Sequence, residues 1–179
     1  MKLLICFILI LTGTPIYSQS RVEIEESLHA SIMLKALTYD SKMESANITV
    51  ISRKNGNSNR SALVKSVDGK FIKNNAIAVN QLTYSDKVSF LKALETMKPG
   101  IIYLCDDLYT SQILEISEAC NNLKILTISG TPDFVRSGYV SMSVIDENQK
   151  PKIILSLKKL KSEGRNFQAS LLKLCKIID

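Results

Sequence analysis

Residues 101–129, IIYLCDDLYTSQILEISEACNNLKILTIS, decide the fold class. The first five residues are almost wholly apolar, which is typical of a strand covered on both faces of a sheet. Residues 111–121 repeat apolar side chains at helical spacing, and residues 124–129 are a mainly aliphatic and β-branched run that predicts a second strand. Two strands joined by a helix of this length predict parallel pairing with a right-handed crossover.

The same alternation of strands and helices precedes this stretch. The predicted earlier elements are, in order, a helix at 22–37, a strand at 46–52, a helix at 60–67, a strand at 76–82 and a helix at 85–97. No repeat, low-complexity tract or linker interrupts the pattern. A length of 179 residues with 45% hydrophobic content suits one domain.

The C-terminal part follows a different pattern. Residues 139–145 alternate between apolar side chains and serines, which predicts a half-exposed strand, and a polar turn joins them to a strand at 152–157. Residues 170–178 predict a terminal helix with an apolar stripe for docking. The predicted fold is therefore an α/β single-domain three-layer sandwich, with a mostly parallel β-α-β-α-β-α-β sheet, an antiparallel C-terminal hairpin and a terminal helix.

The N-terminus has the layout of a secretory signal peptide. Lys2 precedes the apolar run 3–11, and Ser18 and Ser20 supply small residues for cleavage after either position. A membrane span needs about 20 apolar residues, so this run is too short to cross a bilayer. We expect a signal peptide at 1–20 and an exported domain at 21–179, with an uncleaved anchor as the alternative.

The net charge of +6 belongs to the tail, because residues 150–179 hold eight basic residues against two acidic ones. Basic residues interleaved with aromatic ones would indicate nucleic-acid binding, but Phe167 is the only aromatic residue after Tyr139. A basic amphipathic helix on anionic lipid is a second alternative for residues 170–178. We favour a helix that docks on the core, and expect no nucleic-acid partner.

The domain has three cysteines, Cys105, Cys120 and Cys175, all among apolar neighbours. We favour three buried free thiols, and one disulfide with one free thiol is the alternative. The cysteines lack metal-ligand spacing and His29 is the only histidine, so no metal site and no cofactor are predicted.

A small-ligand site is predicted where open α/β sheets bind ligands, at the carboxyl ends of the strands. The polar residues that follow the predicted strands there are Asn55, Asn57, Asp106, Asp107, Ser129 and Thr131.

Three enzyme classes with sites at such strand ends are not supported. A phosphoacceptor receiver needs an acidic pair after the first strand to hold Mg²⁺, and Ser52, Arg53 and Lys54 stand there instead. The loop that follows has one glycine, whereas a dinucleotide site needs several. No G-x-S-x-G is present, and no histidine is placed to activate a serine or Cys105. We expect no catalytic activity.

Residues 137–179, SGYVSMSVIDENQKPKIILSLKKLKSEGRNFQASLLKLCKIID, resemble the C-terminal half of the YfiR-like family. The likeness lies in the glycine-led strand, the IILSL strand end, a short helix closing in glycine, and the ASLLKLCKII segment. Residues 63–82 and 124–129 resemble family segments more generally. The Trp-Pro pair that usually follows the first helix in the family is absent here, so no binding residue is carried over.

The resemblance implies an exported, periplasmic regulator that binds partners. Its expected partner is a membrane-bound signalling protein, such as a diguanylate cyclase, contacted through the partner's periplasmic domain, with an outer-membrane-associated protein as a second partner. The oligomeric state stays open, and a homodimer is one alternative. The residues predicted to form the partner surface are Lys158, Lys159, Lys161 and Arg165. A periplasmic sensor that binds a small ligand at the strand ends is the alternative function.

Overall fold

The computed structural model describes residues 24–43, 45–53 and 58–179. The predicted signal peptide lies outside the described residues. The helices are α1 Glu26–Leu37, α2 Ser58–Val67, α3 Lys87–Met97, α4 Thr110–Leu123, α5 Pro132–Arg136, α6 Leu157–Ser162 and α7 Ala169–Leu172. The strands are β1 Ile48–Ser52, β2 Phe71–Ile72, β3 Asn75–Ala76, β4 Val79–Thr83, β5 Ile101–Leu104, β6 Leu126–Ser129, β7 Met142–Asp146, β8 Pro151–Ser156 and β9 Lys176–Ile178.

Seven strands form one sheet in the order β4-β1-β5-β6-β7-β8-β9. The strands from β4 to β7 are parallel, β7 and β8 form an antiparallel hairpin, and β9 pairs parallel with β8. The predicted α/β class, the mostly parallel sheet and the C-terminal hairpin are confirmed.

Helices cover both faces of the sheet, which gives three layers. Ile101 and Tyr103 of β5 belong to the hydrophobic cluster that includes α1 and α2, whereas Ile102 and Leu104 belong to the cluster that includes α3 and α4. Successive strand residues point to opposite faces. Every residue of β5 is therefore buried, and this explains why the run that opens residues 101–129 has almost no polar residue.

Local signals set the ends of α3. The Asp86 carboxylate accepts a hydrogen bond from the Ser89 backbone N–H, which satisfies a donor that has no partner inside the helix. Lys98 ends the helix in the left-handed conformation, with φ of 44°, and its N–H bonds to the Leu94 carbonyl. Pro99 follows and cannot continue the helix.

The prediction of a half-exposed strand at 139–145 is wrong. Ser141 and Ser143 have no exposed surface, because β7 lies between β6 and β8 and both of its faces are covered. The Ser141 hydroxyl donates a hydrogen bond to the buried Glu163 carboxylate. Ser141 therefore belongs to a polar cluster inside the protein, whereas the Ser143 hydroxyl is buried without a hydrogen-bond partner among the described residues.

The terminal helix is shorter than predicted. Helix α7 ends at Leu172, and the last residues form β9, which pairs with β8 through Ile154↔Lys176 and Leu155↔Ile177. Without β9, the outer side of β8 would present unpaired backbone groups. The expected helix over 170–178 is therefore corrected to one helical turn followed by an edge strand.

Candidate functional site

The predicted ligand site lies at the topological switch point of the sheet, between β1 and β5. From β1 the chain crosses through α2 to β4 on one side, and then returns through α3 to β5 on the other side. In open α/β sheets a crevice forms at the carboxyl ends of two such strands. Arg53 follows β1 at this edge, and Asp106 and Asp107 follow Cys105 after β5.

Arg53 and Asp107 connect the two sides of this crevice. The Arg53 backbone N–H donates to Asp107 Oδ1 at 3.1 Å, and Arg53 Nε donates to the Asp107 carbonyl oxygen at 2.9 Å. The Arg53 guanidinium also lies 4.4 Å from the centre of the Tyr109 ring, within cation–π range. The crevice thus presents a cation on an aromatic ring, with Asp106 exposed beside it.

Ser129 and Thr131 lie at the same edge of the sheet but inside the protein. Ser129 Oγ donates to the Leu104 carbonyl at 2.8 Å and accepts a hydrogen bond from the Thr131 N–H at 3.1 Å. These contacts join β5 to the turn after β6. Asn55 and Asn57 lie outside the described residues. The structure therefore places Asp106 and Asp107 at this edge, with Asp107 beside Arg53, and buries Ser129 and Thr131 behind them.

His29, which the sequence left without a role, packs behind this edge. Its side chain is 4% exposed and meets the Tyr103 ring edge-on at a centroid distance of 5.8 Å. Neither imidazole nitrogen has a hydrogen-bond partner in the described part of the chain. Burial lowers the pKa of His29 to about 4, with the nearby Ser129 backbone acting in the opposite direction. At neutral pH His29 is therefore an uncharged part of the core.

Lys159, predicted on the partner surface, is buried, and that prediction is wrong. Its side chain is 3% exposed and lies 3.1 Å from Glu163, which is fully buried. The Lys159 ammonium also donates to the Ser117 carbonyl at 3.0 Å and to Asn121 Oδ1 at 2.6 Å. These acceptors, supplied by α4, satisfy the buried cation, so Lys159 faces inward against α4.

The Glu163 carboxylate fills a gap between β6 and β7. It accepts hydrogen bonds from the Thr127 N–H, the Thr127 hydroxyl and the Ser141 hydroxyl. Burial raises the pKa of Glu163, while Lys159 and these hydrogen bonds oppose that rise. The pair belongs to the interior and joins the sheet to the C-terminal segment.

Arg165 is also corrected from a surface residue to an internal connector. Its side chain is 8% exposed, and its guanidinium donates to the Gly100 carbonyl at 2.6 Å and to Asp40 Oδ2 at 3.4 Å. These contacts hold the C-terminal segment against the end of α1 and the start of β5. Of the four residues predicted to form the partner surface, only Lys158 and Lys161 are exposed.

No disulfide joins Cys105, Cys120 and Cys175 to one another in the structure. Cys105 and Cys120 are buried, and burial raises the pKa of the Cys120 thiol. Burial also raises the pKa of Cys175 to about 11. Within the described ranges, no group of three or more histidine, cysteine or acidic side chains is placed to hold a metal ion.

The comparison with protein families decides the relationship that the C-terminal pattern suggested. A family model described as YfiR/HmsC-like matches residues 26–176. The chain belongs to the YfiR/HmsC-like family. The family is known for periplasmic regulators and is regulatory and non-enzymatic, so membership supports a periplasmic regulatory role for this YfiR/HmsC-like chain.

Solved structures share the fold at low sequence identity. A conserved domain protein from Vibrio cholerae is 13% identical with a TM-score of 0.62, and the ABC domain in complex with L-Trp from Streptococcus pneumonia is 12% identical with a TM-score of 0.61. The alignments cover 86% of this chain in both cases, and 60% and 62% of those chains. A substrate binding protein with adhesive properties from Clostridium difficile is 14% identical, covering 74% of this chain and 54% of its own, with a TM-score of 0.55.

This chain therefore spans about three fifths of the length of the first two structures. No curated protein matches it. Among the helices that the structure describes, none has the length and apolar character needed to cross a membrane.

Proposed function

We propose that this protein is a periplasmic regulator that binds the exported domain of an inner-membrane signalling protein, such as a diguanylate cyclase, and holds it inactive. The observation that carries the proposal is the match of the YfiR/HmsC-like family over residues 26–176. An outer-membrane-associated protein that sequesters the regulator is proposed as the second partner. Such a regulator needs only a higher affinity for one state of its target than for the other.

Lys158 and Lys161 are the residues proposed to meet an acidic surface on the target. Both are exposed residues of the short helix α6, and neither forms an ion pair with a residue that the structure describes. Complementary charge across an interface mainly speeds association and selects the partner. Charge reversal in the variant Lys158→Glu/Lys161→Glu should therefore raise the Kd about tenfold, a loss of roughly 1.4 kcal/mol of binding free energy.

The matched control is Lys92→Glu, because Lys92 is an exposed lysine on α3, away from α6. Biolayer interferometry with the purified exported domain of the target measures both variants. Equal weakening by the α6 variant and the control would reject α6 as the contact surface.

Cellular cyclic-di-GMP tests the proposed target. Deletion of the gene should raise the cyclic-di-GMP level, and expression of residues 1–179 should return it to the wild-type level. A form that starts at residue 21 behind a new methionine should stay in the cytoplasm and fail to restore the level. Unchanged cyclic-di-GMP after deletion would argue against a diguanylate cyclase as the target.

A small-ligand sensor is the second proposed function, favoured by the crevice in which Arg53 lies over Tyr109. A ligand at 100 times its Kd stabilises a protein by about 2.7 kcal/mol. A thermal-shift screen of metabolites should then find compounds whose effect disappears in Tyr109→Ala. A screen in which no compound raises the Tm would reject this function.

A further inference from the structure

A cavity of about 310 Å³ opens at the amino edge of the sheet, at the opposite end of the strands from the crevice. Its walls come from the segment after α1, the ends of α3 and α4, and the C-terminal segment. Four basic residues contribute to the lining, together with Gly100 and Gly164: Lys42, Lys98, Lys124 and Arg165.

The charge in this cavity is only partly compensated. None of the described residues that line it carries a carboxylate, and Arg165 pairs with the buried Asp40. The Lys124 ammonium donates to the Ser162 carbonyl at 2.9 Å. Lys42 and Lys98 are exposed, and neither forms an ion pair with any residue in the described ranges.

The C-terminal ends of α3 and α4 at this edge repel an anion, but the basic side chains that line the cavity outweigh them. Lys98 and Lys124 occupy the C-caps of α3 and α4, where each helix dipole places about half a negative charge. A favourable charge–dipole contact accounts for these two lysines, and Asp40 and the Gly100 carbonyl account for Arg165, which leaves Lys42 without an ion pair among the described residues. Among the described residues, an excess of about two positive charges remains after both dipoles and Asp40 are counted.

Arg165 lines the cavity with a side chain that its protein partners hold in place. Its Nε is buried and has no acceptor among the described residues, although the rest of its guanidinium is well bonded. Buried N–H donors without acceptors are rare, because the lost hydrogen bond to water is not replaced. Water does not reach the Arg165 Nε, so this donor does not face the open cavity, and Arg165 contributes to the site through its charge.

The geometry points to a binding site for a small phosphate-bearing anion in this cavity. Lysine ammonium groups bind phosphate as point charges with several donors each. The volume lies at the lower end of the range for small-molecule sites, about 300–1,000 Å³, so a small phosphate ester fits. The site lies at the opposite end of the strands from the crevice, and it does not depend on the proposed partner.

Thermal unfolding of the exported form (residues 21–179) with inorganic phosphate and pyrophosphate tests the site. Chloride and succinate at matched ionic strength separate specific binding from salt effects and from carboxylate binding. A probe at 100 times its Kd should raise the Tm by roughly 5–11 °C. In Lys42→Gln/Lys98→Gln the Kd from calorimetry should rise at least tenfold, because two charge-assisted contacts are lost.

Lys92→Gln, on the exposed side of α3, is the matched control and should keep the wild-type affinity. Both substituted lysines are exposed, so the variants should fold, which circular dichroism checks. Three results would overturn the site: no Tm rise beyond that in chloride, equal binding of succinate, or unchanged affinity in the double variant.

Discussion

Lys159 and Glu163 form an ion pair in the interior, with side chains 3% and 0% exposed. Replacing one member of such a pair leaves the other buried and uncompensated, which costs about 3–5 kcal/mol. Lys159→Met should therefore lower the free energy of unfolding by about 3 kcal/mol in urea titrations. Since Lys159 opposes the burial that raises the pKa of Glu163, its loss should destabilise more at pH 8 than at pH 5.

Lys158→Met is the matched control, because Lys158 is the exposed neighbour of Lys159 on the same helix. This substitution should change the free energy of unfolding by no more than about 0.5 kcal/mol. The double variant Lys159→Met/Glu163→Gln should recover part of the loss, since no unpaired charge remains. A loss in Lys159→Met as small as that in Lys158→Met would show that the pair is not buried as described.

His29 gives the fold a dependence on acid. Its pKa is about 4 in the folded state against 6.5 for an ordinary histidine, so the unfolded chain binds the proton first as the pH falls. The part of the free energy of unfolding that depends on neutral His29 is fully present above pH 6.5. It is lost progressively as the pH falls to about 4, and the total loss is about 3 kcal/mol. Urea titrations between pH 7 and pH 4.5 should show this slope in the wild type and a flatter one in His29→Leu. Parallel slopes in the two proteins would contradict the assignment.

Individual roles in the C-terminal segment could not be predicted from sequence. Lysines beside an apolar stripe are usually solvated, and that rule holds for Lys158 and Lys161. Lys159 and Arg165 break it because their acceptors lie far away in the chain, on α4 and at Gly100. Only the tertiary fold brings such acceptors within hydrogen-bond distance.

At the scale of elements, a small ion cluster joins β9 to the turn between β7 and β8. Glu147 in the β7–β8 turn pairs with Lys152 at 2.8 Å and with Lys176 of β9 at 2.7 Å, and these contacts lower the pKa of Glu147 to about 2. Glu147→Gln should loosen the edge strand and increase amide exchange of residues 176–178 several-fold at neutral pH, with exchange in β5 unchanged.

The effect of Glu147→Gln should fade as the pH falls toward 2, because the wild-type carboxylate then loses its charge as well. Equal exchange of the edge strand in wild type and variant at neutral pH would show that backbone pairing alone holds β9.

Elements with strong local patterns were predictable and others were not. The buried strands β1, β5 and β6 follow from β-branched and aliphatic runs, and α3 and α4 from apolar side chains at helical spacing. Strand β9 has only three residues and continues a pattern typical of a helix. Its strand conformation comes from the open edge of β8, which is a tertiary cause.

The whole molecule joins a sheet with a switch-point crevice to a C-terminal segment anchored by buried charges. The sequence predicted the sheet class and the family, because both rest on patterns spread over many residues. It could not predict the cavity at the amino edge, which gathers residues from four separate segments. Regulation by binding is consistent with this architecture, since it requires surfaces held rigidly and no reactive constellation.

Affinity capture of the exported protein from cross-linked cell envelopes tests the central claim most directly. The bait is the chain of residues 1–179 with a C-terminal tag, and the control is the form that starts at residue 21, which we expect to stay in the cytoplasm. We predict that the exported bait recovers an inner-membrane signalling protein with a periplasmic domain and that the control does not. Recovery of no such protein, or equal recovery by both forms, would contradict the proposal of a periplasmic regulator.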